Sequence, residues 1–474
     1  ARFRFWSRNV AWADAMTRRV VIGVDSSTQS TKVEARDIDT GAVVARGHAP
    51  HPATAPPVSE QDPRAWWDAL VAACAQLGDA RAEAVAISIA GQQHGLVLLD
   101  GDGVPVRPAK LWNDTTSAPQ AERLVAELGA AEWAARTGSV PVPSFTITKL
   151  AWVAEHDPDL LSRATRVMLP HDYLTWRLTG QHVTDRSDAS GSGWFDPVSD
   201  THLPDLVDLA APGSRAALPR VLAPNEPAGP ILPGVAAKLG LPGEVLVGPG
   251  AGDNAGAALG LGLAEGDVAV SLGTSGVVFA VSATPTRDAA GFVAGFASAT
   301  GSFLPLVCTL NATKVTDTVA RWLGVDAAGL AELALAATGD DGPMLVPYFD
   351  GERTPNLPDA TGTWLGLTNH TTREQLARAA HDGVLCGLLD GLDHLRSTGA
   401  TADGRMFLVG GGGRSPAYRQ RLADLAGHPI TVPDLDEAVA TGAAVQAAVV
   451  AGAGSFADVA ARWSLGTGKA VDTT

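Results

Sequence analysis

Apolar runs of strand length alternate along this chain with short turns of small polar residues. Val20-Val21-Ile22-Gly23-Val24-Asp25 is one such run, ending on a carboxylate. A turn of small hydroxyl residues spans Ser26 to Thr31, and Lys32-Val33-Glu34-Ala35 predicts a second strand beyond it. The same plan returns far downstream, with Val268–Leu272, the turn Gly273-Thr274-Ser275-Gly276, and Val277–Val281. A plan repeated about one domain apart predicts a duplicated unit, two halves that each open with a hairpin and face each other across a cleft.

Between the hairpins, strand and helix patterns alternate. Asp62-Pro63 predicts a helix start, with Pro in the first turn and Trp66, Trp67 and Leu70 following. Ala84–Ile89 reads as a buried strand and Leu376–Leu395 as a long helix. Such alternation predicts an α/β fold. A chain of 474 residues exceeds the size of one growing core, so two domains are expected. The boundary is placed near Leu263, giving domains at 20–262 and 263–474, and the Pro-rich stretch from Pro224 to Pro233 reads as a surface connection. In residues 1–19 arginines are interleaved with Phe3, Phe5, Trp6 and Trp12, without the apolar run of a signal peptide. A start at Met16 would make this segment an extension outside the fold.

Composition narrows the partners. With 46% hydrophobic and 18% charged residues the chain is of the folded, globular class. A net charge of −16 without clustered Lys and Arg excludes nucleic acid as the expected partner. Cys74, Cys308 and Cys386 form neither a disulfide framework nor a zinc spacing, which points to a reducing cytoplasm. No stretch reads as a membrane span, because the apolar segment Gly248–Leu263 carries Asp253 and Asn254.

Candidate chemistry sits at the turns. Either hairpin alone would be an ordinary turn. Two of them, each after an apolar strand, can present backbone N–H groups and hydroxyls to phosphates, with Thr28 on one side and Gly273 and Thr274 on the other. Asp25 adds a carboxylate where Mg²⁺ or its waters would need one. In Val247–Gly256 a strand runs into glycines and then helix formers, which places Asp253 at a strand-to-helix junction, as a helix cap or as a catalytic group. Leu408–Ser415 is a strand followed by four glycines, suited to a nucleotide lying on the backbone, with Gly411, Gly412 and Arg414 as the ATP-binding candidates. The chain lacks the Walker, dinucleotide and protein-kinase motifs. Gln92-Gln93-His94 after the Ala84–Ile89 strand, together with Trp112-Asn113-Asp114, offers an aromatic wall and bidentate hydrogen-bonding groups, a surface that grips a polyol.

These segments together resemble the FGGY carbohydrate kinases, a branch of the actin/hexokinase/Hsp70 ATPase superfamily, from about Val20 to Ala453. One family signature is matched by Ser144–His156, and a second runs from Gly362 to Asp382 with His381 where an aliphatic or aromatic residue is usual. Within the family, Ile89–Gly95, Leu111–Asp114, Gly351-Glu352-Arg353-Thr354-Pro355 and Ser271–Gly276 are most similar to the xylulose kinases. Other departures are Ser27 for the usual Gly, Gln93 where Met is common, and an end soon after Trp463 without the expected aromatic-rich terminal helix.

The resemblance implies two actin-like (ribonuclease H-like) α/β domains facing each other across a catalytic cleft. It implies ATP-dependent phosphorylation of a ketopentose, foremost D-xylulose to D-xylulose 5-phosphate, with Asp253 as general base and Asp25 required. Gln93, His94, Trp112, Asn113, Asp114 and Asn254 are the implied sugar-binding positions. Mg²⁺ would be held through water by Asp25 and Asp253. By the same analogy the enzyme is cytoplasmic, and dimers are common among similar proteins. The competing readings are a kinase for another ketose or polyol (ribulose, ribitol, arabinitol, glycerol), an actin- or Hsp70-like ATPase without a sugar substrate, and an inactive sugar-binding regulator.

Overall fold

The computed structural model describes residues 18–339 and 341–474. The reading of a start at Met16 therefore lies outside the described residues. Arg18 and Arg19, assigned above to the extension, belong to the fold. Arg18 pairs with Glu83 at 2.5 Å, and the Arg19 carbonyl accepts from the Ile38 N–H at 3.0 Å.

The first sheet is built from β1 (Val20–Ser26), β2 (Ser30–Asp37), β3 (Val43–Pro50), β4 (Ala84–Gly91), β5 (Gly229–Pro230), β6 (Leu246–Val247) and β7 (Ala251–Gly252). Its order is β5-β6-β4-β1-β2-β3, with β7 also paired to β4. The hairpin β1–β2 is antiparallel, whereas β4 runs parallel to β1 on its other side. The second sheet contains β8 (Val268–Leu272), β9 (Gly276–Ala280), β10 (Ala294–Ala297), β11 (Phe303–Thr309), β12 (Met406–Val409), β13 (Ile430–Pro433) and β14 (Gly468–Val471). It is ordered β10-β11-β9-β8-β12-β13-β14. Here too the opening strand, β8, has an antiparallel hairpin partner on one side and a parallel strand on the other. The predicted repeat is thus a repeat of topology. The Pro-rich stretch differs from its reading as a connection: Gly229 and Pro230 form the edge strand β5, a place where a proline's missing donor costs no ladder bond.

Helix α1 (Pro63–Ala75) is capped by the Asp62 carboxylate and buries Trp66, Trp67 and Leu70 against the first sheet. Helix α2 (Asp253–Gly260) follows β7 directly. On the second sheet lie α3 (Thr313–Leu323), α4 (Ala327–Ala336), α5 (Arg373–Ser397) and α6 (Pro416–Ala426). The predicted long helix is α5, started by a capping box between Thr372 and Gln375. Among the described residues no helix is long and apolar enough to cross a membrane.

The last of these helices, α7 (Ala438–Val450), belongs by sequence to the second half yet packs on β1 and β4 of the first. Its small residues allow close approach. A Cβ on Gly23 would lie 1.9 Å from the Ala440 carbonyl oxygen, so only glycine fits there. Polar ties fix the register. The buried Glu34 carboxylate accepts from Arg36 Nε (2.9 Å) and from Thr441 Oγ1 (3.1 Å), and Gln446 bonds both the N–H (3.0 Å) and the carbonyl (2.9 Å) of Gly250. The C-terminal part of the chain therefore braces the glycine-rich strand that leads to Asp253.

Candidate active site

Three chain segments leave the first sheet side by side. Asp25 on β1 is in register with Ala90 of β4, while Ala251 and Gly252 of β7 pair with Ala90 and Gly91 from the other flank. The continuation of β4 is Gln92-Gln93-His94. Asp25 and Asp253 therefore flank the segment read as sugar-binding, at the carboxyl end of the strands, where α/β folds display ligands.

Asp253 opens α2, and its Oδ1 accepts from the Asn254 N–H (2.8 Å) and Asn254 Nδ2 (3.1 Å). Burial, followed by the nearby Asp188 carboxylate, pushes its carboxyl up to about 7. Asp25 is likewise pushed up to about 7, by burial first and by Asp253 and Glu437 in addition, against the opposing charge of Lys32. The Asp25 Oδ1 is buried without a hydrogen-bond partner. An orphaned carboxylate oxygen beside a second carboxylate suits a hydrated divalent cation. Among the described residues no group of three or more His, Cys, Asp or Glu could hold a metal directly.

The sugar-binding candidates divide. Gln93 Oε1 accepts from Asn254 Nδ2 at 2.7 Å, which joins the substitution at 93 to the Asp253 turn. His94 is buried between Phe145 and Phe296, with ring centroids 5.4 and 5.1 Å away. Burial, with the positive charges of Lys149 and Arg353, drives its pKa well below 6.5, so the ring is neutral. Trp112 is 39% exposed, and the Asn113 Oδ1 is buried without a partner, an acceptor free for a ligand hydroxyl. Asp114 is different. Fully buried, it accepts from the Ser59 N–H (2.8 Å), from Thr116 and from Lys110 Nζ (3.2 Å). Its carboxylate closes a turn, with both oxygens engaged by protein donors.

Thr28, read above as a phosphate candidate, is bonded to residues on the sugar side. Its hydroxyl donates to Gln92 Oε1 (3.0 Å) and accepts from Trp112 Nε1 (2.9 Å), so the first hairpin turn is wired to the sugar-side wall. Ser27 closes that turn, its N–H and its hydroxyl each 3.0 Å from the Ser30 carbonyl oxygen.

The nucleotide candidates of the second half converge. Gly273, Thr274, Gly411, Gly412 and Arg414 line one cavity of about 520 Å³, with Leu330 and Ala331 of α4 forming an apolar wall. This is the size and make-up of a small-molecule site. The four glycines of 410–413 lead through a tight 3₁₀ turn, Gly411–Arg414, into α6. His381 also lines the cavity. Its Nδ1–H donates to the Ala377 carbonyl at 2.9 Å, and its ring meets Tyr418 edge-on at 4.6 Å.

Several residues escaped the sequence reading of the site. Phe145 lies inside the first signature, whose buried Lys149 donates to the carbonyls of Pro143 (2.7 Å) and Ser144 (2.6 Å) and so holds the loop that presses Phe145 on His94. Phe296 comes from the second half, as does Arg353, whose Nη2 lies 3.5 Å from Ser144 Oγ. Asp188 is fully buried, and its Oδ1 accepts the His94 N–H at 3.2 Å.

Two mixed sheets of like topology, paired hairpin turns, a nucleotide-sized cavity and carboxylates at the strand ends define an actin-like two-domain phosphotransferase. The models of the FGGY family of carbohydrate kinases match residues 20–260 for the N-terminal domain and 268–451 for the C-terminal domain. The chain belongs to that family. It is 50% identical over 455 residues to a xylulose kinase of Streptomyces rubiginosus, covering 96% of this chain and 92% of that one. To the xylulose kinase of Escherichia coli K12 it is 37% identical over 430 residues, covering 86% and 85%. The crystal structure of xylulose kinase from Bifidobacterium adolescentis superposes with a TM-score of 0.87 at 43% identity, covering 96% of this chain and 97% of that one.

Proposed function

We propose that this chain is an ATP-dependent kinase of D-xylulose, forming D-xylulose 5-phosphate and ADP. The observation that carries the chemistry is the convergence of Asp25, Gln93-His94 and Asp253 on three adjoining strand ends, beside the turn of the first hairpin. The substrate is argued from similarity to proteins named as xylulose kinases, which spans nearly the whole chain.

In this reading Asp253 accepts the proton of the attacking sugar hydroxyl. A carboxyl held near neutrality is matched to that task, and such a base contributes roughly 10²–10⁴-fold. The sugar is gripped by His94, Asn113 and Trp112, with Gln93 steering Asn254. The turns at Thr28 and Thr274 hold the phosphates of ATP from opposite sides, while the cavity beside Arg414 takes the nucleoside. Mg²⁺, when bound, neutralises the β- and γ-phosphate oxygens, and Asp25 and Asp253 are the carboxylates that would hold it through water. Positioning and electrostatics supply most of the acceleration, since phosphoryl transfer asks for little covalent help. Its use of the ATP pool places the enzyme in the cytoplasm.

The direct test is to identify the product. Incubation with MgATP and D-xylulose should yield one phosphate monoester, located on O5 by ³¹P and ¹H NMR. A phosphate on another oxygen, or free inorganic phosphate alone, would overturn the assignment.

A further inference from the structure

Behind the three strand ends lies a buried cluster of ionisable groups that the phosphoryl-transfer chemistry does not use. His171, fully buried, stands at its centre with Nε2 3.1 Å from Asp185 Oδ1, 3.3 Å from Asp172 Oδ1 and 3.6 Å from Asp188 Oδ2. Burial alone would deprotonate the ring, but the Asp172, Asp185 and Asp188 carboxylates outweigh it and raise its pKa to about 9. The ring is therefore held as a cation at neutral pH, and its charge in turn opposes the burial that pushes Asp172 and Asp188 up to about 7.

Two arms lead from this cation to the site. Along the first, Asp188 Oδ1 accepts the His94 N–H at 3.2 Å and lies 3.5 Å from His94 Nδ1. This contact holds His94 at φ 65°, a left-handed conformation that costs a non-glycine residue free energy unless its surroundings impose it. Along the second arm, Asp185 Oδ2 accepts the Ser187 hydroxyl, whose oxygen accepts the Gly252 N–H at 3.1 Å. Gly252 is the residue that precedes Asp253. The ring also abuts the same strand directly. A Cβ at Gly250, which has φ 89°, would lie 2.3 Å from His171 Nδ1. The sugar-gripping segment and the segment that presents the base, already tied by the Gln93–Asn254 bond and the β4–β7 pairing, thus share a further link through one side chain.

We infer that His171 is a positioning residue for phosphoryl transfer, setting through Asp188 and through Asp185–Ser187 the spacing between the sugar held at His94 and the base Asp253. The inference rests on the kinase reading and deepens it. Its contribution should appear in turnover more than in nucleotide binding, because the cavity at Gly411–Arg414 belongs to the other sheet. A displacement of about 1 Å between reacting groups costs on the order of 10²-fold in rate.

The test compares the wild-type full chain with His171→Gln, which removes the cation, His171→Lys, which restores a cation, and Asp188→Asn, which is isosteric and keeps an acceptor for the His94 N–H. Four readings are taken: the unfolding midpoint, ATP affinity by calorimetry, kcat and KM for D-xylulose, and ADP released per sugar phosphate formed. The inference predicts that His171→Gln and Asp188→Asn bind ATP as wild type does, lose on the order of 10²-fold in kcat, and release ADP in excess of sugar phosphate. His171→Lys should recover part of the lost kcat. Should His171→Gln fail to fold, Asp188→Asn carries the test together with its pH–rate profile: because this change also lowers Asp253, a kcat that stays on the order of 10²-fold low at every pH supports positioning, and a kcat restored by a shift in pH overturns it. Loss of stability with kcat retained within about threefold, coupling intact, would show a purely structural cluster and overturn the inference. Wild-type protein inert toward D-xylulose would instead overturn the kinase reading, and the inference with it.

Discussion

Replacing Asp253 with Asn should remove the base and at the same time relieve a buried charge, so activity and stability should move in opposite directions. Burial and Asp188 lift this carboxyl from 3.8 to about 7 in the folded chain. A raised folded pKa means that folding favours the protonated acid. Its stabilising contribution is fully present below 3.8 and is lost as pH rises through about 7. At roughly 1.4 kcal/mol per tenfold, this carboxyl costs the free protein up to about 4 kcal/mol at pH 8, where it is buried ionised, and about 2 kcal/mol at pH 5, where folding must first protonate it. Access to the cleft and the two hydrogen bonds from Asn254 reduce these figures. A realised gain of about 1–2 kcal/mol for Asp253→Asn at pH 8 raises Tm by about 2–8 °C for a domain of this size. Scanning calorimetry in EDTA without nucleotide, at pH 8 and pH 5, should show the larger gain at pH 8. ADP release should fall by about 10²–10⁴-fold. Equal gains at both pH values, or a loss at pH 8, would refute the strained-carboxylate argument, and retained turnover would refute the assignment of the base.

Gln93→Met deletes the 2.7 Å contact to Asn254, and since a net hydrogen bond is worth about 0.5–1.5 kcal/mol, KM for D-xylulose should rise about 2–10-fold with kcat nearly constant in steady-state kinetics. Trp112→Phe keeps the aromatic wall but removes the 2.9 Å contact to Thr28, so calorimetric ATP affinity should lose any dependence on bound sugar. Arg414→Ala should raise KM for ATP several-fold and leave KM for sugar unchanged, because Arg414 lines the cavity proposed for the nucleoside. Chelation by EDTA should abolish turnover and added MgCl₂ restore it, since the unpaired Asp25 oxygen has no protein substitute for a hydrated cation.

What could be read from the chain and what could not have separate physical causes. Both phosphate hairpins were legible because apolar strands and small turn residues are local signals, and β1–β2 and β8–β9 follow those runs to within a residue or two. Helix α5 was equally clear from its periodicity, and its capping box extends it three residues before Leu376. Asp114, beside Trp112 and Asn113, reads as binding surface in the sequence, and that Ser59 and Lys110 hold it inward is a tertiary fact the local pattern does not carry. The His171 cluster joins residues from separate elements, and its link to His94 spans 94 positions, beyond any local pattern. Helix α7 left one unread sign. A helix apolar on every side, as Ala438–Val450 is, has no solvent face and must be enclosed, here against the first sheet.

The most direct test of the central claim is MgATP-dependent ADP release measured across D-xylulose, D-ribulose, L-ribulose, D-fructose, glycerol, ribitol and arabinitol, with Asp253→Ala alongside. Release that is strong with D-xylulose, weak with the others and lost in the variant is the predicted result. Preference for another polyol would contradict the assigned substrate, and no sugar-dependent release from folded protein would contradict the assigned chemistry.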